Sequence, residues 1–442
     1  MKFIKKYYKY ILMFFFFFFI IFIYNYQNTR YDTMWNYGFS HAIKMGEVVY
    51  RDFNTISTPL YSFIMSLGLF IWDDFIVFLI EHTILVTILF YMIFRMYGKK
   101  GWLLLPTLTL PFFLSLNATY NFFAFFLLVL VILLEKEDKS DYLIGVILGL
   151  TILSKHTVGG VVFLLSLIST FNFSKIKKRV IGSFIPLSIF LLYLIITNSF
   201  FNFIDLCVLG LFDFGSNNHY TSRFLLLLSI VMIIVLIRNI IKNPKDKYNY
   251  YALSSFAFCI PLLDFHHFGL FLSIFTLTNI DKIKLSGNYI RNMSFLLVTL
   301  VLFMYALMIP DKFNNLTFMN KNHIKYYILN KEDKKHINKI VNKYIEYDNS
   351  IMVDDNAIIY DLMADRKITY FDVLLTGNYG YNGTSKMINK ISKMHNKYFF
   401  IDRKKYLILD SKEQFDAEIV KYVVDNCEKV DSVSAFDIYY KE

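Results

Sequence analysis

Long apolar runs separated by short polar turns fill the first 310 residues, whereas the rest of the chain has the mixed composition of a soluble domain. The pattern predicts about eleven transmembrane helices, beginning with the run from Ile11 to Tyr24 and ending with the run from Phe295 to Met308. The run from Pro59 to Trp72 is short for a span and predicts an interfacial or re-entrant helix. We therefore expect an α-helical polytopic membrane domain over residues 1–310.

Residues 311–442 combine amphipathic helices with short apolar strands that end in polar turns. Helices are predicted at His336–Tyr347, Ser385–Met394 and Gln414–Cys427, and the strands are the segments SIMVDDN, KYFFIDR and KYLILD. Alternating strands and helices predict a small α/β domain. Its GNYGYNG segment lacks the glycine spacing of a phosphate-binding fingerprint.

The net charge of +11 comes largely from Lys and Arg in short turns such as SKIKKR and KNPKDK. Such clustering is a topology signal, so we do not expect nucleic acid as a partner. It predicts a multi-pass protein of the cytoplasmic membrane with a cytoplasmic N-terminus and, after an odd number of spans, an extracytoplasmic C-terminal domain. No small-residue cleavage site follows the first run, which predicts an uncleaved first helix. The abundance of Phe, Ile, Asn, Lys and Tyr suggests an AT-rich bacterial genome.

The first predicted outer loop, residues 26–73, contains the best candidates for chemistry. Asp32 and Asp52 are candidate general bases, because a partly desolvated carboxylate can act near neutral pH. Alternatively, Asp32 caps the helix that follows, and Asp52 pairs with Arg51, which is itself a candidate substrate or phosphate ligand. The pattern places His41 and Glu47 on a solvated helix face.

Three further groups lie on the same predicted side of the membrane. Lys155 and His156, in LSKHTVGG, suit a phosphate, although snorkelling of Lys155 to the interface explains it as well. Arg223, after the loop DFGSNNHYTS, suits bidentate phosphate contact, with a topogenic role as the alternative.

The segment DFHHF supplies Asp264, His266 and His267 at another outer turn. Asp264 with His266 is a possible partial metal site, since Asp and His ligate divalent ions, but no third strong ligand is near in sequence. Binding of phosphate or substrate by the histidines, and ordinary interfacial residues, are the other interpretations.

The segment from Tyr31 to Tyr61 resembles the first outer loop of GT-C glycosyltransferases, in the branch of the protein O-mannosyltransferases and the lipid A aminoarabinose transferase. The matching features are Asp32, Gly46 with Tyr50, and the turn Pro59-Leu60-Tyr61, and the Lys155 motif is also similar. The specific motifs lie mainly in the first 160 residues. The chain departs from the commonest pattern in having Thr33 after Asp32, where many members have a second acidic residue.

The resemblance implies transfer of a sugar from a polyprenyl-phosphate donor to an envelope glycan, teichoic acid, lipid or protein, with inversion at the outer membrane face. It implies that Asp32 acts as general base or orients the acceptor. Positive charge for the departing lipid phosphate would come from Lys155, His156, Arg223 and His267. No nucleotide cofactor is implied, and a divalent metal is left open.

Two other functions fit a many-spanning envelope protein. A lipid or polysaccharide transporter or flippase usually shows internal repeats with interrupted helices, and this sequence shows no such repeat. A polysaccharide polymerase is the other alternative, but the largest polar loop of the membrane part comes first rather than late.

Overall fold

The computed structural model describes most of the chain. The described ranges are 2–27, 32–109, 115–217, 222–282, 284, 286–297, 299, 317–321, 324–328, 331–354, 357–372, 378–404 and 417–442. Most of the predicted last span, the predicted domain boundary at residue 310 and the predicted strand KYLILD lie outside these residues.

The N-terminal part is built of helices joined by short turns. The α-helices are α1 (Lys2–Gln27), α2 (Asp32–Lys44), α3 (Leu60–Ile71), α4 (Phe75–Tyr97), α5 (Leu104–Thr109), α6 (Tyr120–Lys136), α7 (Asp141–Ser154), α8 (His156–Thr170), α9 (Phe173–Ile196), α10 (Phe200–Phe203), α11 (Gly210–Asn217), α12 (Arg223–Lys242), α13 (Lys247–Ser254), α14 (Phe265–Asn279) and α15 (287–297). Short 3-10 or π turns join several of them, at Gly98–Leu103, Ile204–Leu209 and Ser255–Cys259.

Three described stretches are long and apolar enough to cross a membrane: Phe75–Thr109, Phe173–Ile196 and Arg223–Lys242. Shorter apolar helices lie at Tyr8–Phe22, Leu60–Ile71, Asp141–Ser154 and His156–Thr170. A mostly helical membrane protein is confirmed at this level, while the figure of eleven spans stays a prediction.

Helices α7 and α9 approach each other closely. A Cβ at Gly145 would lie 2.2 Å from the carbonyl oxygen of Arg179, and one at Gly149 would lie 2.6 Å from that of Ser183. Small residues four positions apart let two apolar helices touch backbone to backbone. This contact fixes the direction of α7, at whose end Lys155 lies.

Among the residues that the structure describes, the C-terminal part contains two sheets and four helices. Its elements are β1 (Thr317–Lys321), β2 (Ile324–Ile328), α16 (Lys331–Glu346), β3 (Ser350–Val353), α17 (Ala357–Met363), α18 (Gly383–Ser392), β4 (Lys397–Asp402), α19 (Ala417–Asn426), β5 (Glu428–Val433) and β6 (Phe436–Lys441). The four-stranded sheet has the order β3-β4-β6-β5, with β3 and β4 parallel and the other pairs antiparallel. The small C-terminal α/β unit is therefore present, with a hairpin of β5 and β6 that the sequence pattern did not predict.

The C-terminal unit packs on the predicted outer loops of the membrane part. Helix α17 lies against α2, where a Cβ at Gly38 would meet the side chain of Ile358 at 2.3 Å. The ammonium of Lys386 pairs with both carboxylate oxygens of Asp205 at 2.6 Å. One hydrophobic core contains buried residues of both parts. The two parts therefore meet through a packed and polar interface.

Candidate functional site

The candidate site lies where the beginnings of α2, α6, α8 and α14 come together. Asp32 is the first residue of α2. One turn further on, the Asn36 amide donates to the Asp32 carbonyl at 2.7 Å, and its oxygen accepts from the Tyr120 backbone N–H at 3.3 Å. These two hydrogen bonds tie the start of α2 to the start of α6 and so fix Asp32 beside it.

Lys155 occupies the break between α7 and α8. Its backbone is extended, with φ −149° and ψ 98°, so the chain leaves one helix and enters the next at this residue. Its ammonium donates to the Asn121 side-chain oxygen at 2.7 Å and lies within 6 Å of the ring centroids of Tyr120 and Phe258. Burial lowers the pKa of Lys155 to about 8, while Cys259, Asp264 and Asp32 oppose the fall. An anionic ligand beside this ammonium would favour its charged form in the same way.

Asp264 caps the start of α14. Its carboxylate accepts from the His267 backbone N–H at 2.9 Å and contacts Nδ1 of the same imidazole at 2.8 Å. Burial opposes ionisation of Asp264, but the hydrogen bonds and charge of His267 outweigh it and hold the pKa of that carboxyl well below its usual range. His266 follows the capping residue by two positions, and its ring lies 5.0 Å from that of His267.

The ionisable residues at the starts of α2, α8 and α14 interact through charge. Burial raises the pKa of Asp32, the nearby His266 and Lys155 oppose that rise, and Asp264 adds to it. A carboxylate whose proton affinity is increased by its surroundings is suited to accept a proton. A cation within electrostatic range of it is suited to hold an anionic leaving group. The structure thus brings together Asp32, Lys155, Asp264, His266 and His267 from separate parts of the sequence.

Two predicted phosphate ligands lie at the edge of this group. His156 begins α8 directly after Lys155, and its two ring nitrogens are shielded from solvent with no partner at hydrogen-bond distance among the described residues. Arg223 is exposed at the start of α12. Its neighbour Ser222 donates a backbone hydrogen bond to the Leu263 carbonyl at 3.3 Å, which places the start of α12 beside Asp264.

Asp52 and Arg51 lie in a different environment. Both guanidinium contacts of Arg51 to the Asp52 carboxylate are 2.9 Å long, and that carboxylate also accepts from the Val48 backbone N–H at 2.7 Å. The hydrogen bond from Arg51 lowers the pKa of Asp52. This is the paired and turn-capping arrangement weighed for Asp52 from the sequence, and the structure does not bring Asp52 to Lys155.

His41 and Glu47 are not solvated, and that expectation was wrong. His41 is buried with Nε2 3.4 Å from a carboxylate oxygen of Asp73. Glu47 is 7% exposed, and burial raises its pKa to about 7, with Lys367 opposing the rise. The prediction failed for Glu47 because Lys367 and Asp361 of the C-terminal unit lie near it, and for His41 because its ring lies beside Asp73 of the membrane part.

The residues that sequence reasoning missed are Asn36, Tyr120 and Asn121. The last two end the polar stretch Asn-Ala-Thr-Tyr-Asn after an apolar run, and this stretch was the available signal. For the metal question, no group of three or more His, Cys, Asp or Glu side chains suited to hold an ion occurs among the described residues. Asp264 and His267 instead pair with each other.

No family model and no curated protein matches the chain. Among solved structures, the crystal structure of ArnT from Cupriavidus metallidurans in the apo state matches over 92% of this chain and 93% of that chain, with 10% identity and a TM-score of 0.49. Similarity at this level assigns no activity to this chain and no role to any of its residues.

Proposed function

We propose that this protein is a membrane glycosyltransferase that transfers a sugar from a polyprenyl-phosphate donor to an envelope acceptor at the outer membrane face. The observation that carries the proposal is the meeting of Asp32 with Lys155 and His266, which come from three separate helix starts within a largely apolar chain. The resemblance of the first outer loop to GT-C enzymes points to the same chemistry.

In this mechanism Asp32 removes the proton of the acceptor hydroxyl, or orients that hydroxyl, as it attacks the anomeric carbon. The bond from that carbon to the lipid phosphate breaks as the new glycosidic bond forms, which inverts the configuration. A placed base contributes roughly 10²–10⁴-fold to such a step. Burial raises the proton affinity of Asp32, which favours its action as the base.

The departing polyprenyl phosphate carries the negative charge that develops in the reaction. Lys155 is the main counter-charge, since its ammonium is held by Asn121 at 2.7 Å and forms no ion pair with a carboxylate among the residues that the structure describes. His156, His267 and Arg223 are candidates for additional contacts. Charges fixed in place before the reaction stabilise such a leaving group more than mobile water does, because they need no reorganisation.

The experiment is a lipid-donor assay on purified protein, scoring released polyprenyl phosphate from a panel of polyprenyl-phosphate sugars. Wild type is compared with Asp32→Asn and with Asp425→Asn, an exposed acid of the C-terminal unit. We expect wild type and Asp425→Asn to turn over one donor and Asp32→Asn to lose about 10²-fold or more.

Equal turnover by wild type and Asp32→Asn would keep the glycosyltransferase hypothesis but show that Asp32 is not the base. Asp52 would then be the next acid to substitute. Silence of the wild type, repeated with envelope extracts that supply the acceptor, would overturn the proposal in favour of a transporter or flippase.

A further inference from the structure

A large apolar groove lies away from the candidate site. Its volume is about 1070 Å³, above the range of roughly 300–1,000 Å³ that suits drug-sized ligands. Its walls come from α1, the end of α4, the turn and short helix that follow, and the helical residues near 295–299. Principal lining residues are Lys9, Phe16, Arg95, Trp102, Leu105 and Phe295.

The groove lies at the opposite end of the helices from the candidate site. Phe75, the first residue of α4, packs its ring 5.0 Å from that of Tyr37 in α2, the helix that carries Asp32. Arg95 lies about 30 Å further along α4, at 1.5 Å per residue, which is about the thickness of the hydrocarbon core. The groove therefore opens in the other leaflet, which the charge pattern predicts to be the cytoplasmic one.

The chemistry of the groove changes along its length. Its inner end is carbon-rich, with Phe17 stacked on Phe90 at 4.3 Å, and Trp102 lies 4.8 Å from the Phe295 ring. Its rim carries two cations. Arg95 pairs with Glu137 at 2.6 Å, so its charge is largely balanced.

Lys9 is the cation that stays available. It is exposed and forms no ion pair with any residue that the structure describes, and its ammonium lies 5.9 Å from the Tyr8 ring centroid. An apolar groove that ends in an unbalanced positive charge complements an amphiphile with a negative headgroup.

We propose that this groove is a binding site for an anionic phospholipid of the leaflet opposite the candidate site, with its acyl chains along Phe16 and Trp102 and its headgroup at Lys9. The site is separate from the proposed sugar transfer and does not depend on it. It would fasten α1 to the end of α4 and to the residues near 295 through the lipid chains.

The experiment uses the full-length protein in bilayers that contain brominated phosphatidylglycerol or brominated phosphatidylcholine. Bromine on an acyl chain quenches tryptophan fluorescence on contact, and the signal of Trp102 is isolated as the part lost in Trp102→Phe. A basic residue near an anionic surface contributes about 1 kcal/mol, so we expect half-quenching of Trp102 at an about fivefold lower mole fraction of the anionic lipid.

Two charge variants give the matched comparison. Lys9→Gln is expected to bring the ratio between the two lipids to about one, whereas Lys177→Gln, at an exposed lysine near the start of α9, is expected to keep it near five. Half-quenching of wild-type Trp102 at the same mole fraction of both lipids would overturn the proposal and indicate ordinary surrounding lipid. A ratio that Lys9→Gln leaves unchanged would also overturn it, because the headgroup would then not lie at Lys9.

Discussion

A buried ion-pair network at the end of α6 provides the sharpest test of how the membrane part is held together. Oε1 of Glu135 lies 2.7 Å from Nη2 of Arg179 and accepts from the Tyr251 hydroxyl at 2.7 Å. Oε2 of Glu135 pairs with the ammonium of Lys247, and Nε of Arg179 lies 2.8 Å from Asp141. The Glu135 and Arg179 side chains are only 2% and 3% exposed, so water screens their charges little.

The perturbation is Glu135→Gln, which keeps the shape of the side chain and its acceptor for Tyr251 but removes the charge. Removing one partner of a buried pair costs about 3–5 kcal/mol, because the other charge stays buried without compensation. Asp141 still faces Arg179, and Lys247 is 30% exposed and can hydrate. We therefore expect a loss near the lower end, about 3 kcal/mol in the free energy of unfolding.

The assay is unfolding by sodium dodecyl sulfate in mixed micelles, followed by circular dichroism. The control is Asp281→Asn, which removes the partner of Lys136 from a pair at 3.2 Å whose acid is 70% exposed. An exposed pair of this kind contributes less than about 1 kcal/mol. If Glu135→Gln costs no more than Asp281→Asn, the network does not stabilise the fold in the way argued from its burial.

The double variant Glu135→Leu with Arg179→Met separates the pair from its burial. Replacement of a buried ion pair by apolar residues of similar volume is often neutral or stabilising. We therefore expect the double variant to unfold at a higher detergent fraction than Glu135→Gln. An equal or larger loss in the double variant would mean that the hydrogen bonds of Arg179 to its other neighbours dominate.

Three further predictions concern the predicted outer face. Burial raises the pKa of Glu47 from 4.5 to about 7, so the folded state binds its proton more tightly than the unfolded state does, and the free energy of unfolding falls by up to about 3 kcal/mol as the pH rises between those values. Glu47→Gln should remove this fall, and an unchanged pH dependence in that variant would contradict the assignment to Glu47. Lys386→Gln should speed hydrogen exchange around Asp205 with less than about 1 kcal/mol lost globally, whereas the exposed control Lys421→Gln should leave that exchange unchanged. The acid limb of kcat/KM for donor turnover should lie above the ordinary carboxyl value of 3.8, because burial raises the pKa of Asp32, and a limb at or below that value would contradict Asp32 as the base.

The residues of the candidate site were selected from the sequence because a polar group at a membrane face is costly unless it has a function or a partner. Asp32, Lys155 and Asp264 each follow or precede an apolar run, and each lies at a helix start in the structure. Their meeting was predicted only as a shared side of the membrane. The contact of Lys155 with Asn121 depends on how α6 packs beside α7, which no local pattern reports.

The environments of Asp52 and Glu47 show two different limits. Asp52 has its partner Arg51 next to it in sequence, so its paired state was one of the two open interpretations. The charged neighbours of Glu47 are Lys367, Asp52 and Asp361. Two of these belong to the C-terminal unit, and a contact across so many residues cannot be read from a periodic pattern. The strand β5 was missed for another reason, since its residues are mostly polar and exposed and lack alternation.

The predicted outer loops and the C-terminal unit are joined by a series of hydrogen bonds, which reaches to within one helical turn of Lys155. The Asp205 carboxylate accepts from the Tyr381 backbone N–H at 3.3 Å, and a Cβ at Gly380, whose φ is +86°, would lie 2.5 Å from that carboxylate. Two residues further, Cys207 contacts backbone carbonyls of the first loop, and Thr58 of that loop donates to the Ile152 carbonyl at 2.8 Å, one turn before Lys155.

Each of these contacts is individually modest, and contiguity alone does not establish energetic coupling. Asp205 and Thr58 are nevertheless linked through Cys207 and the first loop. A shift of the C-terminal unit therefore has to break hydrogen bonds or move the loops with it. An acceptor held by that unit would thus be presented to Asp32 and Lys155 on a common support. Two measurements on Lys386→Gln therefore decide between two roles of the C-terminal unit: hydrogen exchange around Asp205 and donor turnover. Faster exchange with lower turnover would mean that the unit acts on the site, whereas faster exchange with unchanged turnover would mean that it only covers the site.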